Sequence, residues 1–321
     1  MGRTPGRRRA GGLPGAPLTP TRRTFPLVPK RRLRGTPFGE RRSARRGRGS
    51  DIAGTRPYVP GDPVSTIDWF ASARLSSARG SDEFVVRETY AEEAPRVLIV
   101  SDRRPSMALY PGDLPWLAKP AAAVAAAEAI AASAVRARAE LGHADSSLGR
   151  VRTVPPGSLA PRHVLDRVRR APYDAAPQSL ARMLSQLLTR RAELPQGSFV
   201  FILSDFLAEI PGSLWSALGS SHWDVVPVVI QDPVWERSFP PVDGVTISFV
   251  SPSGGEPQLV RLTAAETRLR KRENEARFEW LMGRFRAAGF DPVVLESAAP
   301  AAVDTAFLRW AERRRLRRRR Q

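Results

Sequence analysis

Val97-Leu98-Ile99-Val100-Ser101-Asp102 and Val200-Phe201-Ile202-Leu203-Ser204-Asp205 are two short apolar runs that end in the same Ser-Asp pair. A continuous apolar run of this length, closed by polar residues, marks a strand buried on both faces, as in a parallel sheet. Around these runs, helical and extended patterns alternate. The sequence predicts a long helix over 114–141 opened by Asp113, a weaker strand near 146–151, and helices over 158–170, 178–191 and 211–219. A third buried strand follows at 225–230, then a hairpin over 244–262 turning at Ser253-Gly254-Gly255. Thr263 and Glu266 form a capping box that opens a helix with the stripe Phe278, Leu281, Phe285 and Ala288. A last strand over 291–296 and a helix from Ala301 complete the pattern. Alternation of this kind implies an α/β fold, a doubly wound, mostly parallel sheet covered on both faces.

The 321 residues are 42% hydrophobic, enough for a sizeable core. The absence of cysteine excludes disulfides, cysteine-ligated zinc, iron–sulfur clusters and thiol catalysis, and it fits a reducing, cytoplasmic setting. No apolar run of membrane-spanning length occurs: the alanine-rich stretch after Pro120 carries Glu128, Arg136 and Arg138. No apolar segment follows the first basic residues as a secretory signal requires.

A net charge of +19 suggests nucleic acid until it is located. Residues 1–50 hold 15 Lys and Arg against Glu40 alone, and 309–321 hold eight Arg against Glu312. The body, 51–308, has 28 basic and 30 acidic residues and is close to neutral. The chain therefore divides into a basic Pro/Gly-rich tail over 1–35, expected to be disordered, a leading segment over 36–95, an α/β domain over 96–308 and an arginine-rich tail over 309–321. The 48 arginines beside three lysines, with abundant Ala and Pro, are what a GC-rich genome produces unaided. The tails still admit two functions, as an accessory binder of nucleic acid or of an anionic membrane surface, the latter at about 1 kcal/mol per basic residue. Neither tail interleaves aromatics for base stacking, so no specific nucleic-acid recognition is expected.

If the two Ser-Asp strands are neighbours, Asp102 and Asp205 face one crevice beyond the strand ends, where open α/β sheets bind ligands. Ser101, Ser106 and Ser204 add oxygens, a set suited to Mg²⁺ or Mn²⁺. The plainer alternative is that both aspartates cap the following turns or pair with Arg103 and Arg104. A metal-dependent hydrolase at Asp102 and Asp205 would need a general base, and the sequence places no histidine or further carboxylate beside them. His143, His163 and His222 lie in separate segments outside any catalytic motif, and no P-loop occurs.

A block nearer the N-terminus supplies a resemblance. Arg56-Pro-Tyr58-Val-Pro60-Gly61-Asp62, then Ile67-Asp68-Trp69 and Ser72-Ala73-Arg74, is similar to the signature of the domain-of-unknown-function-58 family, and Ser204-Asp205-Phe206 and Gln231-Asp232-Pro233 resemble later family motifs. The resemblance covers roughly 35–310. It implies a von Willebrand factor type A-like (Rossmann-like) domain after a β-rich segment, with a metal-adhesion motif Asp-x-Ser-x-Ser after the first strand. It also implies a non-enzymatic interaction module serving a MoxR-type AAA+ ATPase as adaptor or chaperone partner. Here the motif reads Asp102-Arg103-Arg104-Pro105-Ser106, so Arg104 replaces a ligand serine and Asp102, Ser106 and Asp205 remain as a degenerate set. A guanidinium at that position repels Mg²⁺, and no cofactor is expected. The large apolar residues Tyr58, Ile67, Trp69 and Phe70 are expected to pack the signature block onto the main sheet, the alternative being a partner surface.

Overall fold

The computed structural model describes residues 22–30, 52–80, 83–89, 96–109, 117–147, 149–190, 194–249, 256 and 258–319. In chain order its elements are β1 (Ile52–Pro57), α1 (Trp69–Arg79), β2 (Val85–Thr89), β3 (Arg96–Ser101), α2 (Lys119–Arg136), β4 (Glu140–Ser147), β5 (Arg150–Val154), α3 (Pro161–Arg170) and α4 (Ser179–Thr189). There follow β6 (Phe199–Ser204), α5 (Gly212–Gly219), β7 (Asp224–Ile230), β8 (Val245–Phe249), β9 (Gln258–Leu262), α6 (Ala264–Ala287), β10 (Val293–Leu295) and α7 (Pro300–Arg319). Six strands form one sheet in the order β10-β7-β6-β3-β4-β5, parallel except for β5. One face packs Val97, Ile99, Phe199 and Phe201 against α2, α3 and α7; the other packs Leu98, Val100, Val200 and Ile202 against α4, α5 and α6. This is a doubly wound, Rossmann-like architecture, with its core in two layers. The order reverses between β3 and β6, so the switch point lies between the two Ser-Asp strand ends.

Thr263 caps α6 by accepting the Glu266 amide at 3.2 Å, and Leu281 and Phe285 are its buried residues, as the stripe requires. The 114–141 helix is shorter than its pattern. It begins at Lys119 with Pro120 in its first turn, while Asp113 lies outside the described residues, as does the turn at Ser253-Gly254-Gly255. Its end is set by Arg138, whose φ of 53° places it in the left-handed region and stops the helix. The strand expected near 146–151 is instead the hairpin β4/β5. β4 escapes detection because it buries His143, Asp145, Ser146 and Ser147 where a central strand normally carries apolar residues. Gly142 belongs there because a Cβ would lie 2.6 Å from the Val154 carbonyl oxygen of β5.

Both tail boundaries need correction. Within the tail expected to be disordered, residues 22–30 form an extended strap across the first face of the domain. Phe25 is buried, stacked on Phe307 at 4.6 Å and edge-on to Trp310 at 5.8 Å, and its amide donates to Ser133 Oγ at 3.0 Å. At the other end, α7 runs through 309 without a break to Arg319, burying Trp310, Ala311 and Arg314. Arg314 Nη1 donates to Asp224 Oδ2 at 2.8 Å and to the Val28 carbonyl at 3.1 Å, and the Lys30 amide joins the same Asp224 oxygen at 2.7 Å. One carboxylate thus ties strap, helix and sheet together.

The signature block builds a small unit in which antiparallel β1 and β2 pack with α1. Arg56 forks onto both Asp62 oxygens at 2.7 Å, and the Val59 amide donates to Asp62 at 2.9 Å, closing a turn through Pro60 and Gly61, whose φ is 109°. Arg56 and the Val59 amide hold the Asp62 carboxyl down at about 2. Asp68 caps α1 through the Ala71 amide at 3.1 Å and pairs with Arg87 at 3.0 Å. Ile67, Val85 and Val86 are buried and Tyr58 is half-buried, but Trp69 is 57% and Phe70 85% exposed, and Ala73 and Arg74 are exposed. The expectation that these aromatics pack onto the main sheet is therefore corrected for Trp69 and Phe70. Each stands in the first turn of α1, with Asp68 and not packing setting the helix start. Trp69→Ala is expected to change stability by less than about 1 kcal/mol, whereas Phe25→Ala costs about 3–5 kcal/mol; denaturant midpoints of the full chain compare the two directly.

Candidate functional site

β3 and β6 are hydrogen-bonded neighbours, with Ser101 opposite Leu203, and the Asp102 amide extends the ladder to the Leu203 carbonyl at 3.0 Å. Parallel register thereby brings Asp102 and Asp205 to one end of the sheet, as expected. Between them lies a cation belonging to the chain itself. Arg104 Nε donates to both Asp102 oxygens at 3.0 Å, and its Nη2 reaches Asp102 Oδ2 at 2.5 Å, Asp205 Oδ1 at 3.0 Å and Ser204 Oγ at 3.3 Å. Ser204 Oγ in turn donates to Asp102 Oδ2 at 2.7 Å. Lys119, at the start of α2 and fully buried, reaches Asp205 Oδ2 at 3.3 Å and Glu236 Oε1 at 2.6 Å.

The electrostatics follow from burial and these partners. Burial works against a charge on Asp205, but Lys119 and then Arg104 outweigh it and hold the carboxyl below its usual range. The buried Ser106 hydroxyl lies near enough to favour the same ionised form without a well-aligned hydrogen bond. Burial also opposes the charge on Arg104, and Asp102 followed by Asp205 overcomes it, so this guanidinium stays protonated above its ordinary value. Glu236 is pushed upward by burial, which Lys119 only partly offsets. Its other oxygen accepts the Asp232 amide at 2.8 Å, and Asp232 accepts the amides of Val234, Trp235 and Leu117 at 2.7–2.8 Å. The Gln231-Asp232 motif thus ties the end of β7 to the entrance of α2. Phe206, immediately after Asp205, has a φ of 52°, a strained value for an aromatic residue. Ser204 Oγ accepts its amide at 2.9 Å, and its ring packs on Phe285 at 5.2 Å, which together impose that turn.

These residues do not fit a divalent ion. A metal between Asp102 and Asp205 would have to displace Arg104 and would still find Lys119 on an Asp205 oxygen, so the oxygens available fall short of the six such ions take. Among the described residues no cluster of three or more His, Asp or Glu is arranged to hold one. Arg104 was legible as the replaced serine. Lys119 and Glu236 were not, because nothing in the sequence places residues 119 and 236 against Asp205.

A second polar cluster lies one strand over. His143 Nε2 is 3.0 Å from Ser101 Oγ, and His143 Nδ1 is 3.9 Å from Asp145 Oδ2, the sequence of groups found in a Ser-His-Asp triad. No local motif signals this, since adjacency comes from the β3/β4 register. The Nδ1 separation is beyond hydrogen-bond length, and all three side chains are buried. Burial, then Arg103 and Arg167, lower the His143 pKa to about 3, leaving the ring a poor proton acceptor. Burial raises Asp145, against the pull of Arg103, Arg167 and Arg152. Arg103 seals the cluster by donating to the Val168 carbonyl at 2.8 Å and stacking 5.1 Å from Tyr173. His163, on α3, and His222, before β7, are exposed.

A doubly wound sheet whose switch point is flanked by two strand-end aspartates is a Rossmann-like module with its candidate site at the strand ends. The chain belongs to the family described as "Protein of unknown function DUF58", which matches residues 54–279. No curated protein matches it. Similar solved structures include conserved hypothetical protein BatB from Bacteroides thetaiotaomicron, 15% identical over 68% of this chain and 99% of that one, with a TM-score of 0.39. An aerotolerance-related membrane protein from Bacteroides fragilis NCTC 9343 is 12% identical over 68% and 99%, with a TM-score of 0.38. The pilus adhesin SpaC from Lactobacillus rhamnosus GG is 12% identical over 70% of this chain and 30% of its own, with a TM-score of 0.36.

Two outcomes follow from this geometry. Titration of the native protein with Mg²⁺ or Mn²⁺ should show nothing tighter than about millimolar. Arg104→Ser should cost about 3–5 kcal/mol by stranding buried Asp102 and leaving Asp205 to Lys119 alone, with Mg²⁺ recovering part of the loss in the variant alone. The second concerns acid. His143 takes up its proton near 6.5 when unfolded but only near 3 when folded, so the unfolded chain holds the extra proton between these values. The residue's stabilising effect is complete above that window and shrinks as pH falls, by up to about 1.4 kcal/mol per pH unit. Asp145, raised, acts in the opposite sense. Urea unfolding of His143→Asn and native protein between pH 6 and 4 should therefore differ in slope by about one proton.

Proposed function

We propose that this chain is a non-enzymatic, cytoplasmic interaction module that serves a MoxR-type AAA+ ATPase as adaptor or chaperone partner. The observation that carries the reading is the exposed apolar cluster on the signature unit: Val59, Val64, Trp69, Phe70 and Phe84 all stand in solvent. Trp69 and Tyr58 meet Phe84 edge-on at 6.0 and 6.4 Å, so much of the patch is already ordered. Ordered aromatic side chains with little left to lose on docking are what interface hot spots are made of. The partner class comes from the family resemblance. Support against a hydrolase comes from the crevice, where, among the described residues, Asp102, Asp205 and Glu236 are each paired with Arg104 or Lys119. Asp102, Ser106 and Asp205 are themselves buried, so a partner at this end of the sheet would meet the loops over them, not the carboxylates.

Among the described residues no helix is long and apolar enough to cross a membrane. Peripheral contact of the basic termini with an anionic membrane or with nucleic acid is a secondary, salt-sensitive attraction in this reading. A 36–308 fragment cannot isolate it, because the cut removes Phe25, Trp310 and Arg314 from the core.

The test is binding of the AAA+ protein to the full chain at about 50 and 300 mM salt. Phe70→Ala and Trp69→Ala should each weaken the complex at least about tenfold with the melting temperature unchanged. The native complex should lose no more than a few-fold between the two salt concentrations. Undiminished binding by both variants, or collapse of the native complex at the higher salt, would overturn the assignment in favour of the basic termini.

A further inference from the structure

Helix α1 is held by one side and open on another. Ser72 Oγ accepts the Val85 amide at 2.9 Å and Ser76 Oγ accepts the Glu83 amide at 3.1 Å, so these two serines fix the helix to the start of β2. The side turned away from them carries Phe70, Ala73, Arg74 and Ser77, spaced i, i+3, i+4 and i+7 and all exposed. Phe70 is 85% exposed, and Arg74 stands one turn farther on, with about 5–6 Å between the Cβ atoms. The other arginines of this unit are paired within it. Arg56 bonds Asp62 at 2.7 Å, Arg79 lies 3.1 Å from Glu83, and Arg87 lies 3.0 Å from Asp68. Arg74 makes no such pair among the described residues. A large apolar ring and an uncompensated guanidinium therefore stand side by side in solvent.

We propose that this face of α1 receives an acidic, apolar segment of the AAA+ partner, with Phe70 against its apolar side chains and Arg74 paired with one of its carboxylates. The proposal rests on the interaction reading above and names the chemistry of what docks there. A segment that covers Phe70 also strips water from its neighbour Arg74. In that drier setting an ion pair strengthens, and a segment with no acid to offer leaves the guanidinium uncompensated. Phe70 thus supplies buried area, and Arg74 supplies discrimination between partners. The charge of the unit argues against a polyanion on the same face. From Ile52 to Thr89 four arginines stand against five acids, a net charge of −1. Nucleic acid and anionic membranes bind through many cations acting together, and here they would meet a slightly negative surface. One uncompensated guanidinium on a near-neutral apolar face is the complement of one carboxylate in an apolar segment.

Binding of the AAA+ protein to the full chain should fall about five- to tenfold in Arg74→Ala and return most of the way in Arg74→Lys, with the melting temperature unchanged in both. Arg79→Ala, at an exposed arginine already paired with Glu83, should bind as the native chain does. The gap between native and Arg74→Ala should narrow between about 50 and 300 mM salt. The chain has no cysteine, so Ser77→Cys labelled with a benzophenone reports what covers this face, with exposed Ser216→Cys on α5 as control. The AAA+ segment cross-linked from position 77 and not from 216 should contain Asp or Glu beside Leu, Ile, Val or Phe. Weakened binding in Phe70→Ala but not in Arg74→Ala would overturn the proposal and leave the interaction reading standing. No binding by the native chain would overturn both. A cross-linked segment without an acid would overturn the proposal, as would binding of the native chain to vesicles of phosphatidylcholine and phosphatidylserine that Phe70→Ala abolishes, which assigns the face to a membrane.

Discussion

Arg104 is the constraint on which the strand-end crevice of this molecule rests. Two parallel strands that each end in Ser-Asp must bring two carboxylates together once they become neighbours, and burial makes that pair untenable without a cation. A divalent ion is one solution; this chain supplies a guanidinium from the loop after β3 and an ammonium from the first residue of α2. Both are covalently part of the fold, so the charge balance forms with folding and does not vary with metal supply. The guanidinium's planar fork also fixes geometry, because it bonds Asp102 through two nitrogens while reaching Asp205 with one of them. The loops that follow β3 and β6 are therefore anchored to each other, and the strained turn at Phe206 is held by the same Ser204 that bonds Asp102.

The fold was legible because its central strands obey the simplest rule, that strands buried on both faces are continuously apolar. β3, β6 and β7 follow it, and the Thr263 cap and the Phe285 stripe follow equally local rules. β4 was misplaced because it carries His143 and Asp145 where that rule demands apolar groups, a departure only tertiary neighbours can compensate. The candidate site was half legible. Asp102, Arg104 and Asp205 are marked by their motifs, whereas Lys119 and Glu236, which complete the charge balance, come from helix and loop positions with no local signature. Ser101 and His143 meet through register alone.

The termini show the limit of composition as a guide. Arg- and Pro-rich sequence reads as solvated chain, yet Phe25 fills a hole between Phe201, Phe307 and Trp310, and Arg314 is buried against Asp224. A single aromatic in a nine-residue strap has no periodicity to betray it, and an arginine run hides which member is turned inward. The first clue was available in Phe307 and Trp310, spaced for one helix face, which places part of the C-terminal basic segment on a packed helix.

This changes what the high net charge means. Arg22 sits on Glu128 and the Ala125 carbonyl, Arg314 on Asp224 and the Val28 carbonyl, and Arg317 on Asp291, so several terminal arginines act as fasteners within the domain. The buried Arg314–Asp224 pair persists at salt concentrations that screen exposed pairs such as Arg317–Asp291. The strap and α7 close the same face of the sheet from opposite ends of the chain, each touching Asp224, and neither can leave without uncovering the aromatic cluster beneath. The signature unit takes no part in this closure, and its Trp69, Phe70 and Phe84 are exposed. Apolar surface and charge are thus separated in the molecule: the exposed apolar cluster sits on a near-neutral segment, while at least some of the terminal arginines hold the domain shut.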